Sequence, residues 1–345
     1  HTYSIGFSAQ GYDEMDYARI AVRHFNTDHH EYYVTADDIV KAVPAIAAIY
    51  DQPFGNSSAV PTYFCAKLAR EDGCDRILGG DGGDELFGGN DRYAKQRVFE
   101  HYHMLPGLLR SALIEPASAL LPDAVTPLRK LRRYVEQARI PMPRRLETYN
   151  LLERFGAEHV FEGDFLHAID RGEPGRLQDK AYHGTNARAL INKMLALDHQ
   201  FTLADNDLPK VTKMCELAGI EVAFPLLHDD VVAFAARLAP ELKLKGQRLR
   251  YFFKEALRDF LPEAIITKQK HGFGLPFGPW LQEHKGLQAL VNDSLSSLAK
   301  RRIVRPAFLH ELTAAKVAEH PGYFGTMVWV LMMLELWFQQ QGSRR

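Results

Sequence analysis

The sequence predicts an α/β fold. A partial, doubly wound parallel sheet flanked by helices is expected over residues 1–90, followed by a mostly helical part of the same domain over residues 91–345. Three observations carry this reading. Short apolar runs alternate with helical spacing as far as Leu78, and strands that alternate with helices build parallel sheets. A glycine-rich, acidic turn follows the last of those runs directly. From Asp91 to about Gly184, charged and apolar residues mix at helical spacing, and prolines cluster at Leu105–Pro106, Leu121–Pro122 and Pro141–Pro143. That pattern reads as short helices joined by proline turns.

Tyr3–Phe7 is an apolar run ending at small residues, and reads as a core strand. Tyr12–Phe25 places Tyr17, Ile20 and Ala21 on one helix face, with Asp13 and Glu14 in the first turn, where the helix dipole favours acids. His29–Val34 reads as the second strand. Adjacent strand residues point to opposite faces, so His29 and His30 do not share a metal ion. Asp37–Tyr50 is the next helix, with Thr35 as its N-cap. Asp51–Pro61 is a polar loop leading into a helix over Ser58–Glu71. Ser57 or Ser58 suits an N-cap there, and Ser58 also suits the wall of a substrate pocket. Arg76–Leu78 is the third strand. Ligands in such sheets bind at the carboxyl ends of strands, where Ile5–Gly6 and Gly79–Asp81 both fall.

Arg129–Arg145 is basic and reads as a solvated helix face. A helix is expected over Gln247–Phe260, ended by Pro262. Met327–Phe338 is the most apolar stretch; it is too short to span a bilayer, is interrupted by Glu335, and reads as a buried terminal helix. The tail after Phe338 is polar.

Composition narrows the function classes. Forty-two basic and 43 acidic residues leave a net charge of −1, which supports neither a nucleic-acid footprint nor a polybasic membrane patch. Cys65, Cys74 and Cys215 are sparse and lack metal spacing, as expected for reduced thiols in the cytoplasm. The chain begins at His1 directly in an apolar strand, without a signal peptide, and is expected to be part of a longer protein.

The chemistry concentrates in Leu78-Gly79-Gly80-Asp81-Gly82-Gly83-Asp84-Glu85-Leu86-Phe87-Gly88-Gly89. Glycines let a ligand approach the main chain, and backbone N–H groups after a strand can point at phosphate oxygens. Carboxylates beside a phosphate repel it unless a cation lies between them. Asp81, Asp84 and Glu85 therefore point to Mg²⁺ shared with phosphate oxygens.

This stretch resembles the S-G-E-G-x-D-E-[LV]-F-G-G signature of the asparagine synthetase family, glutamine-hydrolysing type. The resemblance is to its C-terminal synthetase domain, of the ATP pyrophosphatase class, whose sheet is Rossmann-like. It extends from about Tyr3 to about Leu281. Asp51–Pro61 resembles D-E-P-x-x-x-x-S-x-[IV]-P, with Gln52 for the usual Glu. Asp205–Val211 and Glu221–Leu227 resemble D-x-L-x-K-x-D and E-x-R-x-P-F-L-D, with Thr212, Ala223 and His228 replacing Asp, Arg and Asp. Thr267–Leu281 resembles R-K-K-Q-G-F-G-[VL]-P-x-G-x-W-L, a basic, aromatic loop over a site.

The resemblance implies ATP-dependent amide formation: a carboxylate, aspartate or another small acid, is adenylated with release of pyrophosphate, and ammonia attacks the acyl-adenylate. It implies that Ile5 contacts the adenine, that Gly79 and Gly80 approach the nucleotide, and that Asp84 is a Mg²⁺ ligand. Asp81 takes the position of the signature glutamate, one methylene shorter. Lys270 takes that of the lysine facing the pyrophosphate and acyl centre, and Ser58 lies on the substrate side. The family's S-G-G-x-D-S pyrophosphate loop and its glutaminase domain, the ammonia source, do not occur in the sequence and are expected upstream. A related β-lactam synthetase or peptide cyclase, or a non-catalytic nucleotide-binding remnant, are the alternatives. A homodimer is compatible with the sequence, which does not fix the oligomeric state.

Overall fold

The computed structural model describes residues 1–9, 11–122, 125–268 and 274–343. The chain is 69% helical with few short strands. Strand β1 (Thr2–Phe7), helix α1 (Met15–Phe25), strand β2 (His29–Val34), helices α2 (Ala36–Ile49) and α3 (Ala59–Glu71) and strand β3 (Arg76–Leu78) follow in the expected alternation. Thr35 caps α2: its hydroxyl accepts from the Asp38 N–H, and the Asp38 carboxylate accepts from the Thr35 N–H.

The pairing is parallel, as alternation requires, but the described residues form two separate parallel ladders instead of one doubly wound sheet. β1 pairs with β2 in the register Thr2↔His29 through Phe7↔Val34. β3 pairs with β4 (Glu221–Ala223), a strand from the mostly helical part of the chain. β1 and β3 do not hydrogen-bond to each other, because a groove lined by Tyr3, Ser4 and Ile5 on one side and Ile77, Leu78 and Gly79 on the other lies between them. Leu78 is 71% exposed into that space.

Two further expectations are corrected. The helix expected over Gln247–Phe260 reduces to Tyr251–Ala256. Upstream of it Leu244–Lys245 and Arg248–Leu249 form a two-residue antiparallel hairpin around Gly246, and Arg250 takes a left-handed conformation that ends the hairpin. Arg145 is not on a solvated face. It is 1% exposed, donates to the Ile140 and Ala138 carbonyls and to Gln96 Oε1, lies within hydrogen-bond distance of His103 Nε2, and covers the Phe99 ring.

The largest core gathers β1, β2, α2 and α3 against the C-terminal helix Pro321–Ser343. Val328, Trp329, Met332 and Met333 on that helix are buried, each such side chain contributing about 1.5–3 kcal/mol. Among the described residues no helix is long and apolar enough to cross a membrane. The three cysteines are free thiols. A smaller core, made of Ala66 and Ala69 on α3 against Val211 and Cys215 on the helix Leu208–Ala218, presses that helix close to the sheet and fixes where its first turn sits.

Glu335 is fully buried inside the C-terminal helix, accepting from Arg301, Ser297 Oγ and Gln339. Burial pushes its carboxyl up, but those hydrogen bonds outweigh it and hold the group below its ordinary range. Arg301→Ala leaves this carboxylate without its cation, and is expected to cost about 3 kcal/mol at neutral pH. Because the folded value is depressed, the loss shrinks as pH falls through the carboxylate range. Urea unfolding at pH 7 and in acid checks both; equal midpoints at pH 7 would show that the pair contributes nothing.

Candidate active site

The glycine-rich turn begins where β3 ends. Gly79 N–H donates to the Ala223 carbonyl at 2.9 Å, extending the β3–β4 ladder by one bond before the chain turns away. Gly82 has φ +90, and a Cβ there would collide with Leu227. The short helix α4 (Gly83–Phe87) follows, buried through Leu86 and Phe87. A Cβ on Gly89 would overlap the Asp84 carboxylate. Glycine is thus required at Gly82 by conformation and contact, and at Gly89 to leave space for Asp84.

This turn holds Asp81, Asp84 and Glu85 around a cavity of about 370 Å³, with Asp207 on its far wall. Asp207 ends a π-helical segment, His199–Asp207, that leads directly into Leu208–Ala218. Lys210, in the first turn of that helix, lies 2.9 Å from Asp207 and 3.9 Å from Asp81. Burial pushes the Asp81 carboxyl up, Lys210 draws it back, and Asp207 adds to the rise. Glu85 is 5% exposed, and burial pushes its carboxyl up to about 7, helped by the negative charges of Asp84, Asp207 and Asp198. Asp84 lies 3.3 Å from Arg250 Nη1, and Arg250 is held by its own N–H donating to the Gly88 carbonyl.

Two further cavities adjoin the acidic one. Asp81 also lines the groove of about 450 Å³ between β1 and β3, together with Ile5, Gly79, Lys210 and Lys268. Arg250 also lines a basic groove of about 860 Å³ with Arg248, Lys254, Arg258 and Lys268. Burial, with Arg250 and Arg248 nearby, lowers the Lys254 ammonium from its ordinary value. Arg250 Nε is buried with no hydrogen-bond partner among the described residues. The cleft therefore carries carboxylates on one wall and crowded cations on the adjoining wall. That charge distribution fits a polyanion bound through a cation.

The chain matches the family described as asparagine synthase over residues 1–339. It belongs to the asparagine synthase family. It is 26% identical over 291 residues to asparagine synthetase (glutamine-hydrolyzing) 1 of Bacillus subtilis, a match covering 81% of this chain and 43% of that protein. It is 24% identical over 353 residues to a putative asparagine synthetase (glutamine-hydrolyzing) of Mycobacterium tuberculosis, covering 97% of this chain and 50% of that protein. A 110-residue stretch is 41% identical to putative asparagine synthetase (glutamine-hydrolyzing) 2 of Methanocaldococcus jannaschii, covering 32% of this chain and 21% of that protein. The chain spans about half the length of the curated relatives that match most of it, and corresponds to the synthetase part.

Within that family frame, Ile5, Gly79 and Asp81 line one groove, and Gly80, Asp81 and Asp84 line the adjoining cavity. Ser58 lines neither. It occupies the N-cap position of α3, and its carbonyl accepts from Thr62 Oγ1. Its loop reaches the cleft through a neighbour: Asn56 Nδ2 donates to Asn206 Oδ1, beside Asp207. Lys270 lies outside the described residues. Lys210, Asp207 and Arg250 line the site without a role expected from the sequence. The first two sit in the D-x-L-x-K-x-D-like segment, and that resemblance is the signal that marks them. Arg250 carries no such signal, because the sequence pattern puts it inside a helix.

Glu85 gives a stability test. Its folded value of about 7 lies above its ordinary 4.5. Its contribution is full below 4.5 and is lost as pH rises through about 7. Glu85→Gln is therefore expected to match the wild type in stability at the acid end and to exceed it by about 3 kcal/mol at pH 8. Urea midpoints across that range decide it, and parallel pH profiles would place Glu85 in solvent.

Proposed function

We propose that this chain carries the adenylating half of an ATP-dependent amide ligase. It activates the side-chain carboxylate of aspartate as an acyl-adenylate, releasing pyrophosphate, and ammonia displaces AMP to give asparagine. The observation that carries the reading is the partition of the cleft: Ile5, Gly79 and Asp81 share one groove, and Asp84 meets Arg250 where the acidic cavity adjoins the basic one.

Each residue has a physical role. Ile5, 9% exposed, offers an apolar wall for a base. A Cβ built on Gly80 meets nothing within 4 Å, so its backbone is open to a ligand. The chain's carboxylates fit Mg²⁺, which takes one or two protein carboxylates and completes its shell with phosphate and water. When bound, Mg²⁺ would supply charge neutralisation between these acids and the phosphates. Asp84 is the ligand we assign to it, and Arg250, with its unpartnered Nε, then turns to a phosphate oxygen. Asp81, its carboxyl already pushed up and facing Lys210, is placed to accept a proton from the attacking amine. Lys270 is assigned to the pyrophosphate, and Ser58 to the acceptor side through its loop.

The S-G-G-x-D-S loop and the glutaminase that supplies ammonia are assigned to the part of the relatives' length that this chain does not span. A different small carboxylate as acceptor is a second reading. Ala223 favours it, since an alanine stands on β4 where the family's pattern has arginine, and its carbonyl holds the first glycine of the acidic turn.

Asp84→Asn keeps size and one acceptor oxygen but removes the charge. In the complete protein, pyrophosphate release with ATP and aspartate is expected to fall at least about 100-fold, or about 2.7 kcal/mol, with partial rescue by excess Mg²⁺. Adenosine binding should persist, because Ile5 and Gly80 act through apolar and backbone contacts. Undiminished pyrophosphate release would remove Asp84 from the site. Release by the wild type with other small carboxylates, but not with aspartate, would select the second reading.

A further inference from the structure

Four side chains that play no part in the cleft meet at the amino ends of β1 and β2. Tyr3 pairs with His30 across these parallel strands, and side chains alternate along each, so His1 and Tyr3 share a face with Asp28 and His30. Asp72, at the C-terminus of α3, joins them. His1 Nδ1 lies 3.0 Å from Asp28 Oδ2, 3.4 Å from Asp72 Oδ2 and 3.3 Å from His30 Nε2. His30 Nε2 lies 3.6 Å from Asp28 Oδ2 and 3.3 Å from Asp72 Oδ2. A tetrahedral ion with Zn–N and Zn–O bonds of about 2.0–2.1 Å holds its ligand atoms about 3.3 Å apart. The three separations among His1, Asp28 and His30 bracket that value, and Asp72 lies beside both imidazoles.

Supporting groups and charge both separate this cluster from a casual surface ion pair. The Tyr3 hydroxyl donates to Asp72 Oδ2 at 2.6 Å, and the Tyr3 ring stacks on His30 at 5.1 Å between centroids. Such second contacts fix the orientation of metal ligands. Among the described residues, Asp28 and Asp72 form ion pairs with these two imidazoles only, with no lysine or arginine. With neutral imidazoles the cluster carries two negative charges, which one divalent cation neutralises.

We propose that His1 Nδ1, His30 Nε2 and Asp28 Oδ2 bind a divalent first-row transition metal of the zinc type, with water completing its shell and Asp72, beside both imidazoles, as their supporting carboxylate. The ion clamps the starts of β1 and β2 to the end of α3. It is separate from the cleft, which opens at the other ends of β1 and β3, and its nitrogen ligands exclude Mg²⁺ as the natural occupant. His30 meets His1 on one face of the ladder, whereas the adjacent His29 hydrogen-bonds with Thr2 Oγ1 on the other.

Protein stripped with a chelator and titrated with Co²⁺ tests this. One equivalent is expected to bind with the visible absorption of four-coordinate Co²⁺, displaced by Zn²⁺ but not by millimolar Mg²⁺. Saturating Zn²⁺ at about 100 times Kd should raise the melting temperature by about 3–5 °C. His30→Ala and Asp72→Ala should each weaken Co²⁺ binding more than about tenfold, and Tyr3→Phe about tenfold. If those variants fail to fold, Asp28→Asn, at a side chain 67% exposed, reads the same site without touching the core. No saturable absorption in the wild type, or Co²⁺ binding unchanged in the folded variants, overturns the proposal, as does displacement by Mg²⁺. Pyrophosphate release plays no part in these readouts, so the proposal stands or falls separately from the adenylation chemistry.

Discussion

The backbone reversal at Gly82 is the constraint on which the rest of the cleft depends. A residue at φ +90 beneath Leu227 has space for no side chain, and that turn brings Asp81 and Asp84 to the rim of one cavity while α4 buries Leu86 and Phe87. The turn is anchored on both sides. Gly79 is bonded to the end of β4, and the Gly88 carbonyl accepts from Arg250. The segments that supply the opposite wall, β4 through Leu227 and the hairpin through Arg250, are therefore tied to the acidic turn by main-chain bonds, which do not depend on side-chain rotamers.

Clustering Asp81, Asp84, Glu85 and Asp207 is costly. Burial and mutual repulsion both disfavour the charged forms, and the rise of Asp81 and Glu85 expresses that cost. Lys210 offsets part of it for Asp81 and Asp207, and Arg250 does so for Asp84. On the adjoining wall, burial first and the neighbouring Arg250 and Arg248 second lower the Lys254 ammonium. Arg250 lines both cavities, and its pair with Asp84 joins the acidic side to the basic one. A ligand that presents anionic oxygens to one wall and a cation to the other relieves both. That is a physical reason for the cleft to favour a metal-bound polyphosphate over a simple anion.

Much of this was legible in the sequence where local rules decide. The Thr35 cap, the α/β alternation through Leu78 and the buried Met327–Phe338 segment follow from capping, periodicity and hydrophobicity, and the structure has each of them. The glycine turn was legible because only glycine satisfies Gly82 and Gly89. What could not be read is set by long-range contacts. The pairing of β3 with β4 joins Arg76–Leu78 to Glu221–Ala223, and nothing local in either strand specifies the other. Arg145 looked solvated because it continued a basic run, yet its partners Gln96 and His103 lie more than forty positions away. Arg250 was obscured by a helical pattern that a two-residue hairpin interrupts.

The sites at the two ends of the strands are built by different means, and this bears on how each responds to binding. At the cleft, the carboxylates and cations sit on a glycine turn and on helix ends, and their side chains already pair with one another, as Asp84 does with Arg250. At the strand starts, His1, Asp28, His30 and Asp72 project from elements that are themselves the scaffold: a parallel ladder and the end of a thirteen-residue helix. Side chains fixed by strand register need little rearrangement to converge on an ion. The same register that aligns Ile5 with Tyr32 at the cleft aligns Tyr3 with His30, and the alternation along the two strands puts His1 on the same face as both.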